Sequence, residues 1–388
     1  MSENLYFDHA ASAPRRPEVL AAMEPWMSGV VGNPAGSHAD ARRARRAIEE
    51  AREVVAEFVG VDPTGVIFTG SGTESCHLAL AGVVQRHRHE HEHTELIVSA
   101  VEHHAVLASA ELLASTFDDV TLSILKVDSD GVVDLDQLQG MLNEDCALVS
   151  VMTANNETGV DQPMGAISGI CNSMVPGGTP THTDAIAAAA WQHLPTVTAT
   201  FDLISICAHK LGGPVNSGAL VMRNPVPMDA VMPGGAQERG FRGGTIDVAA
   251  AVGLAAACAA SERDRITMAD RCEEFQTQLV SAFSLIKGVA VTARGARRLP
   301  GHVHVTVEGV ASDELLFLLD QEGVRASAAA ACSSGATASS HVLQAMGIAP
   351  ELARGALRFT MGAETSKSDV DELIRIFAKT VHHLRPPA

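Results

Sequence analysis

The chain has 388 residues, of which 46% are hydrophobic and 19% are charged. This composition excludes a disordered or low-complexity chain and allows a large buried core. The 46 acidic side chains outnumber the 28 basic ones, so the formal net charge is −18. Binding to the nucleic-acid backbone needs excess positive charge, and direct nucleic-acid binding is therefore not expected.

The cysteines and the N-terminal residues indicate the compartment. Seven cysteines lie far apart without a CxxC pair, which fits neither a disulfide framework nor a zinc ribbon and favours a reducing environment. The start of the chain lacks the basic and apolar segments of a signal peptide. No uncharged apolar run is long enough to span a membrane. We therefore expect a cytoplasmic protein without membrane contact.

Short apolar segments rich in β-branched residues alternate with helical patterns in the first two thirds of the chain. Continuous apolar runs of this kind are typical of strands buried on both faces of a parallel sheet. The clearest helical pattern covers 41–59, with Gly60 where a C-cap belongs. This alternation predicts one large α/β domain. The predicted strands are 66–68, 96–98, 122–125, 147–152, 201–206 and 219–222.

The pattern changes near residue 260. An Ala-rich buried helix at 248–260 precedes a separate polar helix at 261–283. An alternating strand at 302–307, helices at 312–321 and 368–384, and a loop of small residues between them predict a smaller α+β domain. We assign residues 15–255 to the large domain. Residues 1–14 and 256–388 form the small one, with a loop at about 326–340.

Histidines alternate with other residues at 87–93. An exposed helix end or loop explains this stretch best, and adventitious metal binding is the weaker interpretation.

Three segments at predicted strand ends carry candidate chemistry. TGSGTES at 69–75 joins a strand to a helix, which makes an anion site with the hydroxyls of Thr73 and Ser75 as extra donors. Lys210 follows a strand and precedes two glycines, where a Schiff-base role would explain a lysine. Asp184 ends another strand. An anion cradle, an aspartate and a lysine in this order indicate a site for pyridoxal 5'-phosphate (PLP).

With these motifs the chain resembles the cysteine desulfurases of the NifS/IscS type, which are class V aminotransferase-family, fold-type I PLP enzymes. The resemblance covers nearly the whole chain and implies a mostly parallel seven-stranded sheet in the large domain. The matching motifs are YFDHAA (6–11), GNPAGSH (32–38), FTGSGTES (68–75), VEHHAV (101–106), ANNETG (154–159), THTDA (181–185), AHKLGGP (208–214), GGAQERGFRGGT (234–245), ACSSG (331–335), SHVLQAMG (340–347) and LRFTMG (357–362).

The resemblance implies roles for the matched residues around the cofactor. Lys210 would hold PLP covalently and carry the Cα proton of the substrate. His103 would stack on the PLP ring as an acid–base group, and Asp184 would keep the pyridine nitrogen protonated. The remaining cofactor ligands would be Gly72, Thr73, His209, Asn156 and Thr245.

The substrate and subunit roles follow from the same resemblance. Asn156 and Arg358 would hold the carboxylate of L-cysteine, since a guanidinium can bind a carboxylate with two hydrogen bonds. Thr245 would reach the phosphate bound by a neighbouring subunit, which implies a homodimer. No metal is expected at the site.

Cys332 lies in a run of small residues that offers little to pack, so the segment could be a mobile loop. Composition alone favours a buried free cysteine in an Ala-rich helix. The resemblance instead makes Cys332 the nucleophile that takes the sulfur of L-cysteine as a persulfide and leaves L-alanine. The persulfide would pass to an acceptor protein, either an iron–sulfur scaffold or a tRNA-thiolating enzyme.

The chain departs from the family pattern at three places. Ala187 stands where the family usually has a glutamine that bonds the PLP phenolic oxygen, and Cys207 replaces a serine that binds the phosphate. Alanines also occupy the stretch before Cys332, where glycine is usual. Because each lost hydrogen bond costs roughly 0.5–1.5 kcal/mol, we expect PLP binding to be weaker by about tenfold.

Two alternative functions stay open at this point. The fold could carry another class V reaction, as in a selenocysteine lyase or an aminotransferase, although transamination needs no mobile thiol. The departures could also mark a degenerate, partner-dependent sulfur-relay protein, but Lys210, His103, Asp184, Arg358 and Cys332 are all present.

Overall fold

The structure is a computed structural model that describes residues 5–328 and 340–385. Its strands, in chain order, are β1 (Leu5–Tyr6), β2 (Val66–Thr69), β3 (Thr94–Ser99), β4 (Val120–Leu125), β5 (Cys146–Ser150), β6 (Thr181–Asp184), β7 (Leu203–Cys207), β8 (Gly218–Met222), β9 (Val289–Val291), β10 (His302–Val307), β11 (Val324–Arg325), β12 (Ser327–Ala328) and β13 (Ala356–Thr360). Its α-helices are α1 (Pro17–Met27), α2 (Ala39–Val59), α3 (Gly72–Arg88), α4 (His104–Thr116), α5 (Leu135–Met141), α6 (Met164–Met174), α7 (Leu194–Val197), α8 (Val248–Ser284), α9 (Ser312–Gln321), α10 (His341–Ala345), α11 (Pro350–Ala353) and α12 (Lys367–Leu384).

The predicted α/β class and the mostly parallel sheet are confirmed. Seven strands form the large sheet in the order β2-β8-β7-β6-β5-β3-β4. Only β8 runs antiparallel to its neighbours there. The central strands are buried on both faces, as their continuous apolar sequences predict. The edge strand β4 differs, because its middle residues face solvent.

The helix predicted at 41–59 is α2, and it begins two residues earlier. The His38 side chain accepts a hydrogen bond from the Ala41 amide at the N-cap. Gly60 ends the helix in the left-handed conformation (φ 77°), which glycine adopts at little cost. The apolar face of α2 packs against α8 in one core of the large domain.

The helices predicted separately at 248–260 and 261–283 are one helix of 37 residues, α8. No glycine, proline or cap interrupts the chain where its composition changes from alanine-rich to charged. The change marks a different environment: the first half is almost wholly buried, whereas later turns expose one face. The predicted domain division between residues 255 and 256 therefore falls inside a continuous helix.

The small sheet has two chemically different faces. It runs β12-β13-β10-β9 with antiparallel pairing throughout. Val303, Val305 and Phe359 point into an apolar core with α8 and α12. On the other face, His302 pairs with Thr360 and His304 pairs with Arg358, and all four are buried. The strand predicted at 302–307 is correct, but buried polar residues occupy its second face instead of exposed ones.

The histidine-rich stretch straddles the end of α3. The rings of His87 and His91 stack with centroids 3.8 Å apart, and residues 89–93 form an exposed turn. Within residues 5–328 and 340–385, no group of three or more His, Cys, Asp or Glu side chains is arranged to hold a metal ion. In the same part of the chain, no helix combines the length and apolarity needed to cross a membrane.

Candidate active site

A cavity of about 660 Å³ opens at the carboxyl ends of the large sheet, where α/β folds place ligands. It brings together residues from five separate strand ends and from the small sheet. The predicted site residues that line it are Gly72, Thr73, His103, Asn156, Asp184, His209, Lys210 and Arg358. Thr245 is exposed and is not among its lining residues. Cys332 lies outside the described residues.

The turn between β2 and α3 forms the anion cradle. Ser71 caps α3 by accepting a hydrogen bond from the Glu74 amide at 3.1 Å, so the first turn of a 17-residue helix faces the cavity. A Cβ atom at Gly72 would lie 2.3 Å from the Cδ1 atom of Ile186 and 3.3 Å from the Cβ atom of Cys207, so glycine leaves room for the Ile186 side chain at this turn. The free amides and the positive end of the helix dipole suit a phosphate group.

One predicted donor in this cradle is wrong. The Ser75 hydroxyl is fully buried and lies 2.6 Å from the hydroxyl of Thr69 and 3.1 Å from the Ser71 carbonyl oxygen. It ties β2 to α3 and does not line the cavity. Thr73, two residues earlier, does line it.

Lys210 lies in a short 3-10 helix (His209–Leu211) just after β7. Its ammonium group donates hydrogen bonds to the carbonyl oxygens of Ala10 and Ala11, the second at 2.9 Å. The N-terminal segment thus lies directly beside the lysine, and Gly212 (φ 78°) turns the chain away. A lysine held at the cavity wall in this way can form a Schiff base with a carbonyl ligand.

His103 is the N-cap of α4. Its Nδ1 accepts a hydrogen bond from the Ala105 amide at 3.0 Å, so the proton of the neutral ring is on Nε2. Burial, with help from the positive charge of Lys210, lowers the His103 pKa to about 4. The imidazole is therefore neutral near pH 7 and can stack on an aromatic ligand.

Asp184, at the end of β6, is the buried carboxyl group of the site. Its Oδ1 accepts a hydrogen bond from the Ile186 amide at 2.9 Å. Burial raises its pKa to about 6, although that hydrogen bond and Lys210 oppose the shift. A carboxylate this deep needs a cationic partner, and a protonated pyridine nitrogen would supply one.

Cys207, the last residue of β7, also lines the cavity, with its Sγ 3.4 Å from His209 Nδ1. Burial raises its pKa to about 12. It is therefore a thiol at neutral pH, and a thiol is a weaker donor than the serine hydroxyl that the family pattern has there.

Arg358, on β13 of the small sheet, also lines the cavity. One terminal nitrogen donates to Asp8 at 2.9 Å and the other to the Asn156 carbonyl oxygen at 2.8 Å. Its Nε is buried without a hydrogen-bond partner in the described residues. Buried N–H groups rarely stay unpaired, so this donor fits a carboxylate ligand.

Sequence reasoning assigned no role to several residues near Arg358. Asp8 neutralises part of its charge, and the buried Glu157 accepts a hydrogen bond from Ser340 at 2.6 Å. Burial raises the Glu157 pKa to about 7. The motifs YFDHAA and ANNETG contained both acids, but no local spacing predicts that either lies near Arg358.

The lining residues fit PLP. The N-terminus of α3 matches its phosphate, Asp184 matches its pyridine nitrogen, Lys210 matches its aldehyde and the neutral ring of His103 matches its aromatic face. Ile186 and Ala187 add apolar surface to the lining of the cavity.

Comparisons with known proteins agree with this geometry. The profile of the family described as aminotransferase class V matches residues 5–373. The chain is 38% identical to an IscS-like cysteine desulfurase of Mycobacterium tuberculosis over 99% of this chain and 98% of the relative. It is 35% identical to the cysteine desulfurase IscS of Dictyoglomus turgidum over 99% and 96%.

Solved structures give the same result. A NifS-like protein superposes with a TM-score of 0.90 at 29% identity, covering 98% of this chain and all of the other. A structure described as SspA in complex with cysteine gives a TM-score of 0.79 at 28% identity over 92% and 98% of the two chains. The predicted resemblance to NifS/IscS-type proteins is confirmed, and the chain belongs to the aminotransferase class V family.

Proposed function

We infer that the protein is a PLP-dependent cysteine desulfurase, which converts L-cysteine to L-alanine and transfers the sulfur to Cys332. One observation carries the inference: Lys210, Asp184, His103 and the anion cradle meet in a single cavity that Arg358, from the small sheet, also lines. PLP enzymes of this family share such a cofactor site. The relatives named above, which match this chain over nearly its full length, are called cysteine desulfurases.

Each group has a defined task in this reaction. The first turn of α3 would hold the PLP phosphate, and Asp184 would pair with its pyridine nitrogen. Bound PLP supplies an electron sink for the pair released at the substrate Cα. Arg358 would bind the substrate carboxylate, which orients the Cα–H bond toward the Lys210 amine for proton transfer.

The sulfur step would use the Cys332 thiolate. It attacks the sulfur of the substrate, the carbon–sulfur bond breaks, and its electron pair stays with the carbon skeleton, which becomes L-alanine after protonation. The persulfide remains on Cys332. Described residues on both sides of its segment support this role, because Ser327 pairs with Arg358 and Ser340 bonds to Glu157.

The test of this function is alanine release from L-cysteine with a thiol reductant and excess PLP. We expect release from the wild-type protein and a loss of at least about a hundredfold for Cys332→Ala. The matched control, Cys272→Ala, makes the same change at a buried thiol outside the cavity and should keep wild-type turnover. Equal release from Cys332→Ala would indicate a lyase that does not use the thiol. No turnover in any variant, despite bound PLP, would contradict the inference.

PLP affinity should depend on the protonation of Asp184. Its pKa is raised to about 6, so the carboxylate that pairs with the pyridine nitrogen is present above that pH and is lost as the pH falls below it. We expect the Kd of PLP for the apoprotein to rise by up to about tenfold per pH unit below pH 6. Asp184→Asn should remove most of this dependence and bind weakly at all pH values.

The control for this titration is Asp202→Asn. Asp202 binds Thr181 at the opposite end of β6, so this variant should keep the wild-type pH profile. The ionisable groups of PLP itself are common to all three proteins. Identical slopes for wild type and Asp184→Asn would show that Asp184 does not pair with the cofactor.

We also propose a homodimer and an acceptor protein for the sulfur. Thr245 is exposed at the end of a loop that is held against β2 by the hydrogen bond from the Phe68 amide to Glu238, which suits a residue that serves the cofactor of another subunit. An iron–sulfur scaffold or a tRNA-thiolating enzyme would receive the persulfide sulfur.

A further inference from the structure

His302 is a buried histidine in the wall of the cavity with no assigned role. It begins β10 opposite Thr360, two residues from His304, which pairs with Arg358. Opposite residues of an antiparallel pair share one face. His302 therefore lies on the polar face of the small sheet that also presents Arg358, and it lines the cavity with Ala187 and Trp191.

Neither ring nitrogen of His302 has a hydrogen-bond partner in the described residues, although the side chain is only 2% exposed. Two other buried histidines have hydrogen-bond partners at their rings. His182 is bonded at both nitrogens, to Ser150 at 2.8 Å and Ser205 at 2.9 Å. His304 is bonded through Nδ1 to Thr292 at 2.8 Å, and only its Nε2 lacks a partner in the described residues. Neither of these lines the cavity.

Packing fixes the ring of His302 in its place. A Cβ atom at Gly159 would lie 2.6 Å from His302 Cβ and 3.0 Å from Cγ, so glycine makes room for the imidazole. The indole of Trp191 meets the ring edge-on with centroids 6.3 Å apart. Gln276 donates to the His302 carbonyl oxygen at 2.7 Å. The ring is thus held at the cavity wall without a hydrogen-bond partner among the described residues.

The surroundings also determine the protonation state of His302. Burial, together with the positive charges of Arg358 and Lys210, lowers its pKa to about 3. The neutral ring carries one N–H donor, and leaving that donor buried and unpaired is unfavourable. Within residues 5–328 and 340–385 no protein atom pairs with this donor. Its partner therefore lies outside those residues, and a ligand of the cavity that His302 lines is one such group.

We propose that His302 binds the ligand of this cavity by donating a hydrogen bond to an anionic oxygen, either the amino-acid carboxylate or the phenolic oxygen of the cofactor. Both oxygens carry negative charge and lie in a cavity whose cations, Arg358 and Lys210, already attract such groups. The proposal rests on the proposed function, because it assumes PLP and an amino acid as ligands.

The test compares PLP-loaded wild type with His302→Leu, which removes the donor, and His302→Gln, which keeps one. The control is His304→Leu, the same change two residues along the same strand at a side chain that does not line the cavity. L-alanine and ethylamine serve as probes, since they differ mainly by the carboxylate. Their Kd values are read from the visible absorbance of the bound cofactor. In a separate experiment without either probe, the same absorbance is followed as the pH is changed.

A carboxylate contact predicts that His302→Leu raises the Kd of L-alanine by about tenfold or more and leaves that of ethylamine unchanged. A phenolic-oxygen contact predicts that the midpoint of the pH titration rises by about one unit, because the bond stabilises the oxygen most after the neighbouring nitrogen loses its proton. His302→Gln should recover most of either effect. Wild-type values for both readouts in His302→Leu would overturn the proposal.

A second measurement needs no folded leucine variant. In wild-type protein with ¹⁵N-labelled histidine, adding L-alanine or PLP should shift one ring nitrogen resonance that is absent from His302→Gln. No shift with either ligand would overturn the proposal. PLP uptake and cysteine turnover are measured first, so failure of the proposed function is read separately from failure of this contact.

Discussion

Replacing Lys210 by alanine should lower alanine release from L-cysteine by about a thousandfold or more, since the variant loses both the amine that bonds PLP and the base that moves the Cα proton. The Lys210 amine lies beside the carbonyl oxygens of Ala10 and Ala11. Neither water nor the neighbouring histidines can replace the covalent bond between Lys210 and PLP. Turnover and the visible absorbance of the purified protein measure the two losses independently.

Lys126 supplies the matched control. Like Lys210, it follows the carboxyl end of a strand of the large sheet, in this case β4. It is exposed, however, and does not line the cavity. Lys126→Ala should keep wild-type turnover and the wild-type spectrum. The assignment of the Schiff-base lysine fails if Lys210→Ala retains the long-wavelength absorbance that Lys126→Ala shows.

The strands of the large domain could be predicted because each one is indicated by a short continuous segment of the sequence. A strand buried on both faces needs a continuous apolar run, so β3 and β7 were visible as such runs. The end of β7 then located Lys210, and Asp184 was assigned to the end of a further strand, β6, without knowledge of the strand order. The length of α8 could not be predicted in this way. Its apolar pattern changes where the helix passes from a buried to a partly exposed environment, and no local sequence signal shows that the helix continues through this point.

The wall formed by the small sheet could not be predicted from spacing. Arg358 and Asp8 are 350 positions apart in the chain but join through a hydrogen bond of 2.9 Å. An alternating strand at His302 indicated one buried face and one exposed face. The cavity instead buries the polar face as well, and only the packing of two domains creates that environment. Likewise, the sequence shows a hydroxyl group at position 75. It does not show that this hydroxyl is hydrogen-bonded to the hydroxyl of Thr69.

Another feature beyond sequence reasoning is the loop that leads to Thr245. Ala236, Glu238 and Arg239 all have positive φ angles, of 59°, 44° and 55°, and each such residue costs of order 1 kcal/mol or more. The buried Glu238 carboxylate compensates this strain. It accepts hydrogen bonds from Arg52 at 2.8 and 2.9 Å and from the Phe68 amide at 2.6 Å.

Glu238→Ala should therefore lower the free energy of unfolding by about 3–5 kcal/mol, because it leaves the Arg52 guanidinium buried without its main partner. Glu49→Ala is the matched control. Glu49 also bonds Arg52, at 3.1 Å, but its side chain is 57% exposed, so its loss should cost less than about 1 kcal/mol. Denaturant midpoints and slopes of the purified proteins give both values.

The double variant Arg52→Ala with Glu238→Ala separates the pair from its surroundings. It should be less destabilised than the sum of the two single variants, because neither charge is then left buried alone. Equal losses of stability for Glu238→Ala and Glu49→Ala would contradict a dominant buried pair.

Glu238 also accepts a hydrogen bond from the Phe68 amide, two residues before the anion cradle begins at Gly70. Glu238→Ala should therefore weaken PLP binding as well, whereas Glu49→Ala should leave it unchanged.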